Sequence, residues 1–527
     1  MNIKLRKLGA VLVVAVLTAA GCGGSSGGGD SVSPPPTTTP PPPTTPPPSG
    51  GIIRTGVAVG AGPITGFGSI IVNGITYDTS SATFTRDDNP SSQEDFKVGE
   101  TVIVKGTIED DNTGAVAETV ELDEIVEGPV SSINEFGVLT VLGQAVTISL
   151  DTAVDDSCPA SLDDPGIAAV EVYGTVDGNG SIAATRIECK TALEVDEYEV
   201  NGTVSNLNAG NFTFSINGLQ VDYSSAVIDD NFPGGTSAIS DGDPVEVKGL
   251  PANFDDGVTP PVLGASKVEY KGGVLAGNEG DHYEVEGFIS DFVSATQFNV
   301  RVGSLVIAVT TTDSTVFEGG SSADLGNNLK VEVEGDLNSS DQLQATKIEI
   351  KTSTNVRVVG LVDSVSTANS TITILGITVN TATTTTQFED KSDARTEPFG
   401  IGDVSVGNYI EARGQELPEG QITAFRIERD DPDPDTELRG FTEPASIVTD
   451  SGASDYRDSF RVLGVTIDMS SVEVYRDTND LAISADQFWS VIEIEAAGGN
   501  GYLVDIKGAE QSDGTTLLAQ EVELEME

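Results

Sequence analysis

Six times along this chain a short alternating run ends in glycine, and soon afterwards comes the segment Ala-x-x-(Ile/Val)-Glu. The runs are VIVKG to Gly106, VEVYG to Gly174, VEVKG to Gly249, VEVEG to Gly335, IEARG to Gly414 and VDIKG to Gly508. The alanines are Ala117, Ala184, Ala265, Ala345, Ala424 and Ala519, and the glutamates are Glu121, Glu188, Glu269, Glu349, Glu428 and Glu523. Glycine and alanine stand 10 or 11 residues apart in five units and 16 apart in the third. Self-similarity at this period means that one supersecondary unit is used repeatedly, so the fold of the unit decides the fold of the chain.

Further back in each unit another glycine separates two apolar runs, at Gly74, Gly143, Gly218, Gly303, Gly376 and Gly464. Phe212–Ile216 and Gln220–Tyr223, joined by Asn217-Gly218, alternate as strands around a two-residue hairpin signal, and Asn73-Gly74 repeats that turn chemistry. The glycine closing each Val-x-Val-x-Gly run suits a bulge or a sharp bend. Five units carry one more glycine earlier, at Gly128, Gly202, Gly287, Gly360 and Gly440. The layout is about five strands per unit, with no sustained helical periodicity. Open sheets of this size would leave long exposed edges, so closure is expected: an all-β chain of six tandem small barrels of the five-stranded oligonucleotide/oligosaccharide-binding (OB) type. The units are placed at 52–126, 127–193, 194–271, 282–351, 355–429 and 437–527. In the last strand, strict alternation puts Lys347 and Glu349 on one face and Ile348 and Ile350 on the other. The six marker glutamates are therefore expected to point to solvent, where charge discourages edge-to-edge association; the alternative is a ligand-binding row.

Residues 1–21 have a basic start (Lys4, Arg6, Lys7), an apolar run from Leu8 to Leu17 and a small-residue end. This is the layout of a secretory signal, with an apolar part too short to span a bilayer permanently. The sequence Ala19-Ala20-Gly21-Cys22 resembles the lipobox of bacterial lipoproteins, in which the cysteine is acylated and becomes the mature N-terminus. That resemblance implies a lipid anchor at Cys22; the alternative is a soluble secreted chain cut near Gly21. Residues 22–51 read as a tether. A Gly/Ser segment is followed by Pro34–Pro48, which holds only Pro and Thr and extends to about 45 Å as polyproline II at ~3.1 Å per residue. Gly23, where inner-membrane lipoproteins often carry Asp, favours the outer membrane by the same resemblance.

The phrase Gly66-Phe-Gly-Ser-Ile-Ile-Val-Asn-Gly74, then Thr76-Tyr-Asp, VIVKG and Ala-x-x-Val-Glu, resembles a bacterial domain of unknown function numbered 5666. That family occurs as tandem repeats in secreted proteins and lipoproteins, so the resemblance implies the architecture and no catalytic residue. It covers about 52–525, and the sixth unit departs from it at Asp486–Gly499, where Trp489 and an extra strand pair are expected.

The 527 residues hold 27 Lys and Arg against 83 Asp and Glu, a net charge of −56, which excludes a nucleic-acid binder working through phosphate contacts. Excess acid also keeps an exported protein soluble in salty surroundings. His282 is the one histidine, and no Gly-x-Ser-x-Gly elbow occurs. Cys158 and Cys189 lie in the second unit; an exported chain would pair them, unpaired thiols being the alternative. Oxygen-rich stretches make two calcium candidates, Asp177 with Asn179 and the Asp431, Asp433, Asp435 run, although the first also reads as a turn and the second as a stiff linker.

No reactive constellation recurs among the units. The expectation is a non-enzymatic, extracytoplasmic lipoprotein of the outer membrane, serving as a binding or scaffolding array with a membrane anchor and a protein or glycan partner. Two rivals are a carbohydrate-binding or carbohydrate-active surface protein using Tyr77, Tyr223 and Trp489, and a mechanical spacer.

Overall fold

The computed structural model describes residues 57–525, apart from 87–88, 109–113, 135–137, 160, 163, 165, 178, 234, 236–238, 272–277, 304, 352–353, 383–384, 418–419, 449–450 and 454–455. The export signal, Cys22 and the tether lie outside the described residues.

Barrel 4 shows the unit most plainly. Its strands are His282–Ser294, Gln297–Val302, Leu305–Thr310, Lys330–Leu337 and Leu343–Ile350. The first pairs antiparallel with the second and the fourth, the second with the third, the third parallel with the fifth, and the fourth antiparallel with the fifth. The order 1-2-3-5-4-1 closes on itself, as expected of an OB-type barrel. Barrels 1 and 5 close in the same order. Barrels 2 and 3 follow it with interruptions, the fifth strand of barrel 3 being split into Val262–Gly264 and Lys267–Tyr270. In barrel 6 the first and second strands meet, among the described residues, through the single bridge Thr442–Val462. In barrels 2 and 3 the first strand is interrupted (Glu124–Gly128 and Val130–Ile133; Tyr198–Thr203 and Ser205–Asn208). The strand Glu124–Gly128 pairs within barrel 2, so barrel 1 ends at Leu122, short of the expected boundary at 126.

The recurrent glycine and alanine are partners. Gly106 faces Ala117, Gly174 faces Ala184, Gly335 faces Ala345, Gly414 faces Ala424 and Gly508 faces Ala519, each at a register shift between the fourth and fifth strands. A Cβ on Gly335 would stand 2.3 Å from the Gln344 carbonyl oxygen. No side chain fits there, which is why the bulge demands glycine. In barrels 1, 2, 5 and 6 the preceding hairpins turn through two residues of positive φ, such as Asn73 at 51° and Gly74 at 85°, as a primed turn requires.

Inside each barrel the alternating apolar residues close a core, for example Val285, Val300, Val333 and Ile348, all at 0 % exposure. Barrels 2 and 3 share one apolar cluster, and barrels 5 and 6 share another. These pairs join first strand to first strand, antiparallel, with Val200 opposite Val126 and Val358 opposite Leu438. Barrel 1 joins barrel 4 the same way but parallel, Ala58–Ala61 running beside His282–Val285, and its Val59 and Ala61 pack into the barrel 4 cluster. The six units are thus not a simple series, because the fourth returns to the first.

The sixth unit corrects one expectation. Its insertion forms an α-helix, Ala485–Gly498, instead of an extra strand pair. Ser484 caps the helix by accepting from the Gln487 N–H while Gln487 Oε1 accepts from the Ser484 N–H, and Gly499 ends it at φ 85°. Phe488, Trp489 and Ile492 are buried against barrel 6. The Ser-x-x-Gln start and the Gly-Gly stop were the signals for it. Among the described residues no helix is long and apolar enough to cross a membrane.

Candidate functional site

Cys158 and Cys189 form a disulfide, with S–S at 2.09 Å and Cα atoms 4.8 Å apart, tying a loop to the last strand of barrel 2. Asp177 closes a turn, its Oδ1 accepting from the N–H groups of Asn179 and Ser181 at 2.8 Å each. Asp431 accepts from the Asp393 N–H, Asp433 from the Asp435 N–H, and Asp435 pairs with Lys507 at 2.6 Å. These oxygens serve turns and a linker, and they do not converge. His282 is buried on the seam between barrels 1 and 4, its Nδ1 2.9 Å from Asp336 Oδ1. Of the aromatic residues a sugar platform would need, Tyr77 is buried, Trp489 packs edge-on against Phe460 at 5.8 Å, and Tyr223 is half-buried between Phe212 and Phe214.

The marker glutamates depart from the expected solvent-facing row. Their parity is as read, outward from the barrel, but the barrel exterior is largely an interface between units. Glu428 is buried and Glu188, Glu269, Glu349 and Glu523 are half-buried, while Glu121 alone is exposed. Five of the six also face a second acid directly, Glu188 opposite Glu171, Glu269 opposite Glu246, Glu349 opposite Glu332, Glu428 opposite Glu411 and Glu523 opposite Asp505, whereas Glu121 stands opposite Ile103. Like charges in that position repel unless a cation bridges them. Lys190 reaches Glu127 at 2.6 Å and Glu171 at 2.7 Å. Lys351 reaches Glu332 at 2.9 Å and Glu349 at 3.0 Å, and Arg413 reaches Glu411 at 2.7 Å and Glu428 at 3.2 Å. Burial opposes ionisation of Glu411, yet Arg357 and Arg413 hold its carboxyl at about 2. The Glu-x-Lys spacing of Glu188-x-Lys190 and Glu349-x-Lys351 places acid and base on one face and was legible in the sequence.

Two arginines were missed. Arg186 and Arg426 occupy the same repeat position, Ala-x-Arg-Ile-Glu, and both are buried, at 0 % and 2 % exposure. Arg186 pairs with Asp155 and with Glu188 at 2.7 Å, and donates to the Val98 carbonyl of barrel 1 at 3.0 Å. Arg426 pairs with Glu389 and with Glu428 at 2.6 Å. Asp155 and Glu389 are equivalent positions, each opposite the marker glutamate of its own barrel. Arg186 also approaches Glu389 at 3.6 Å, so barrels 2 and 5 meet through a quasi-symmetric set of charges. Arg413 extends that contact by donating to the carbonyls of Leu150 and Thr152.

Two further places gather polar groups. Glu124, Glu127 and Glu171, all buried, bring carboxylate oxygens within 4.8 Å of one another, but Lys190 and Arg86, the latter 3.0 Å from Glu171, already supply cations there. In barrel 6 a cavity of about 390 Å³ is lined by Glu443, Ser446, Ser459, Phe460, Arg461 and Thr466. It lies where OB-type barrels bind ligands, over the second and third strands. Its polar groups are spent on the fold: Glu443 accepts from the Gly464 N–H at 2.7 Å and Ser446 Oγ from the Arg461 N–H at 2.8 Å.

Fold and site together define a laterally docked array of small closed barrels, held by main-chain pairing and buried charge. A family model described as a domain of unknown function, DUF5666, matches residues 61–121, 127–188, 201–258, 286–349 and 359–428, together more than half of the chain. The chain belongs to this family as a tandem-repeat member. Its sixth barrel, with the inserted helix, lies outside the matched stretches. None of the curated proteins matches the chain.

Proposed function

We propose that this chain is a non-enzymatic lipoprotein, anchored through Cys22 in the outer membrane, whose barrels form an extracytoplasmic scaffolding or binding array. The observation that supports this most is the lipobox-like export signal and Pro/Thr tether leading into repeats that share no reactive constellation. What the units share is glycine, alanine and glutamate, and those residues serve closure and docking. A spacer gains length from units added end to end, whereas barrel 4 pairs back onto barrel 1, so the scaffold reading is preferred. A glycan platform of stacked aromatics finds no support in the buried Tyr77 and Trp489.

The test compares the wild type with Cys22→Ser in a diderm bacterium, following incorporation of a labelled fatty acid and membrane fractionation, with affinity capture from the native envelope. The wild type should carry label and fractionate with the outer membrane, and the variant should be unlabelled and released. Equal partitioning of the two would refute the anchored reading.

A further inference from the structure

We propose that the seam between barrels 1 and 4 is a proton-dependent latch, closed while Glu284 and Glu332 share a proton and released when that proton is lost. Glu284 lies on the first strand of barrel 4, opposite Gly60 of barrel 1 on one side and Glu334 on the other. Glu284 and Glu332 are buried, at 8 % and 5 % exposure, and their carboxyls hydrogen-bond each other. Two carboxyls can bond in that way only if one of them carries a proton. Barrel 1 supplies neighbours that offer Glu284 no countercharge. The Tyr77 hydroxyl fills the place beside Gly60, buried and without a hydrogen-bond partner, and Asn73 Nδ2 donates to the Glu284 main-chain carbonyl at 2.9 Å.

The repeat shows what these positions hold elsewhere. Three residues before Gly287, Gly360 and Gly202 stand Glu284, Arg357 and Glu199, and three before Gly335, Gly414 and Gly249 stand Glu332, Glu411 and Glu246. In barrel 5 Arg357 and Glu411 form an ion pair, which needs no proton. In barrel 3 Lys248 reaches both acids, Glu199 at 3.0 Å and Glu246 at 2.7 Å. In barrel 4 the residue in the place of Lys248 is Glu334, so three acids meet there. The cations of that face are engaged: Lys351 with Glu332 at 2.9 Å and Glu349 at 3.0 Å, Lys347 with Glu318 at 3.4 Å, and Lys330 with Glu286 at 2.8 Å. His282, on the same strand as Glu284, faces Asp336 at 2.9 Å and Glu334 at 3.9 Å.

Burial, then Glu332 and Glu334, push the Glu284 carboxyl up to about 9 against the pull of Lys347. Once barrel 1 lifts away, water reaches that carboxyl and it ionises in the usual carboxylate range. Closure therefore takes up close to one proton between about pH 5 and about pH 9, and a rise in pH favours the open form by up to about tenfold per unit. Arg86 and Lys97 still tie barrel 1 to barrel 2, at 3.0 Å from Glu171 and 2.8 Å from Glu188. Release thus frees only the contact that returns barrel 4 to barrel 1, and it lets the array extend.

The whole chain, purified in detergent, is followed by hydrogen exchange and mass spectrometry between about pH 6 and about pH 8, with the opening constants of Ala58–Ala61 and His282–Val285 corrected for intrinsic exchange. Over that range the wild-type constant should rise at least about thirtyfold. Glu284→Gln, close in shape and uncharged, should cut the rise by at least about tenfold, and Glu332→Gln should cut it too. Glu318→Gln, on the exposed side of the same barrel, should leave it as in the wild type. His282 is present in every one of these proteins, so the difference belongs to the carboxyl pair. A wild-type rise under about threefold, a full rise in both Glu284→Gln and Glu332→Gln, or loss of the rise in Glu318→Gln would each overturn the proposal. None of these outcomes depends on the anchor, so the latch and the lipoprotein reading stand or fall separately.

Discussion

Replacing Arg186 with methionine keeps most of the aliphatic stem and removes the guanidinium that joins three barrels. Its side chain is 1 % exposed. Without it, Asp155 and Glu188, at 17 % and 13 % exposure, face each other, and the Val98 carbonyl loses its donor. Removing one partner of a buried ion pair costs about 3–5 kcal/mol. Lys97 remains 3.2 Å from Asp155 and 2.8 Å from Glu188, and both acids keep some solvent, which places the expected loss at the lower end, about 3 kcal/mol. The pH dependence carries a sign. Burial disfavours the Asp155 carboxylate, but Arg186, the Ser157 N–H and Lys97 outweigh it and hold the carboxyl far below the usual carboxylate range. A depressed acid stabilises the fold above its unfolded pKa and loses that contribution as pH falls. The gap between wild type and variant should therefore narrow below about pH 4. Pulse proteolysis in urea, read on fragments from barrels 1, 2 and 5, measures both quantities. A loss under about 1 kcal/mol, or one that is the same at pH 3 and pH 7, would show that the buried arginine does not hold the junction. Arg426→Met should behave alike, and the double variant should lose less than the sum because both arginines reach Glu389.

Changing both Cys158 and Cys189 to alanine frees a sequence separation of 31 and should cost barrel 2 about 3–4 kcal/mol in the chain-entropy estimate, seen as faster hydrogen exchange in Ile182–Lys190; unchanged exchange would refute it. Gly335→Ala, which drives a Cβ to 2.3 Å from the Gln344 carbonyl, should destabilise barrel 4 by about 1–3 kcal/mol, while Gly326→Ala, with open space around its Cβ, should stay within about 0.5 kcal/mol. Equal effects in thermal melts would contradict the bulge argument. In barrel 6, burial and the neighbouring Glu525 push Glu523 up to about 8, and burial, with Glu437 and Glu525 adding to it against Arg357, pushes Asp505 up to about 7. A raised acid is protonated in the fold and loses stability as pH rises through that range, so Glu523→Gln should raise the melting temperature at pH 9 more than at pH 5. An equal shift at both would rule the coupling out.

The unit was legible in the sequence because closure of a small barrel is a local problem. The fourth and fifth strands cross too closely for a Cβ at Gly106, Gly174, Gly335, Gly414 and Gly508, so the chain must spell the bulge as glycine facing alanine wherever the barrel recurs. Alternation likewise separated Ile348 from Glu349, and proximity in one unit joined Cys158 to Cys189. Only the tertiary structure decided which barrels meet. First strands pair through main-chain N–H and C=O groups that every residue carries, so nothing in Ala58–Ala61 specifies His282–Val285 as its neighbour. The same docking turned outward glutamates into half-buried or buried partners of Arg186, Arg413 and Arg426, and it brought Asn201 to the Glu124 carbonyl. Periodicity records which side of a strand a residue takes; whether that side meets water or another barrel depends on contacts hundreds of residues apart.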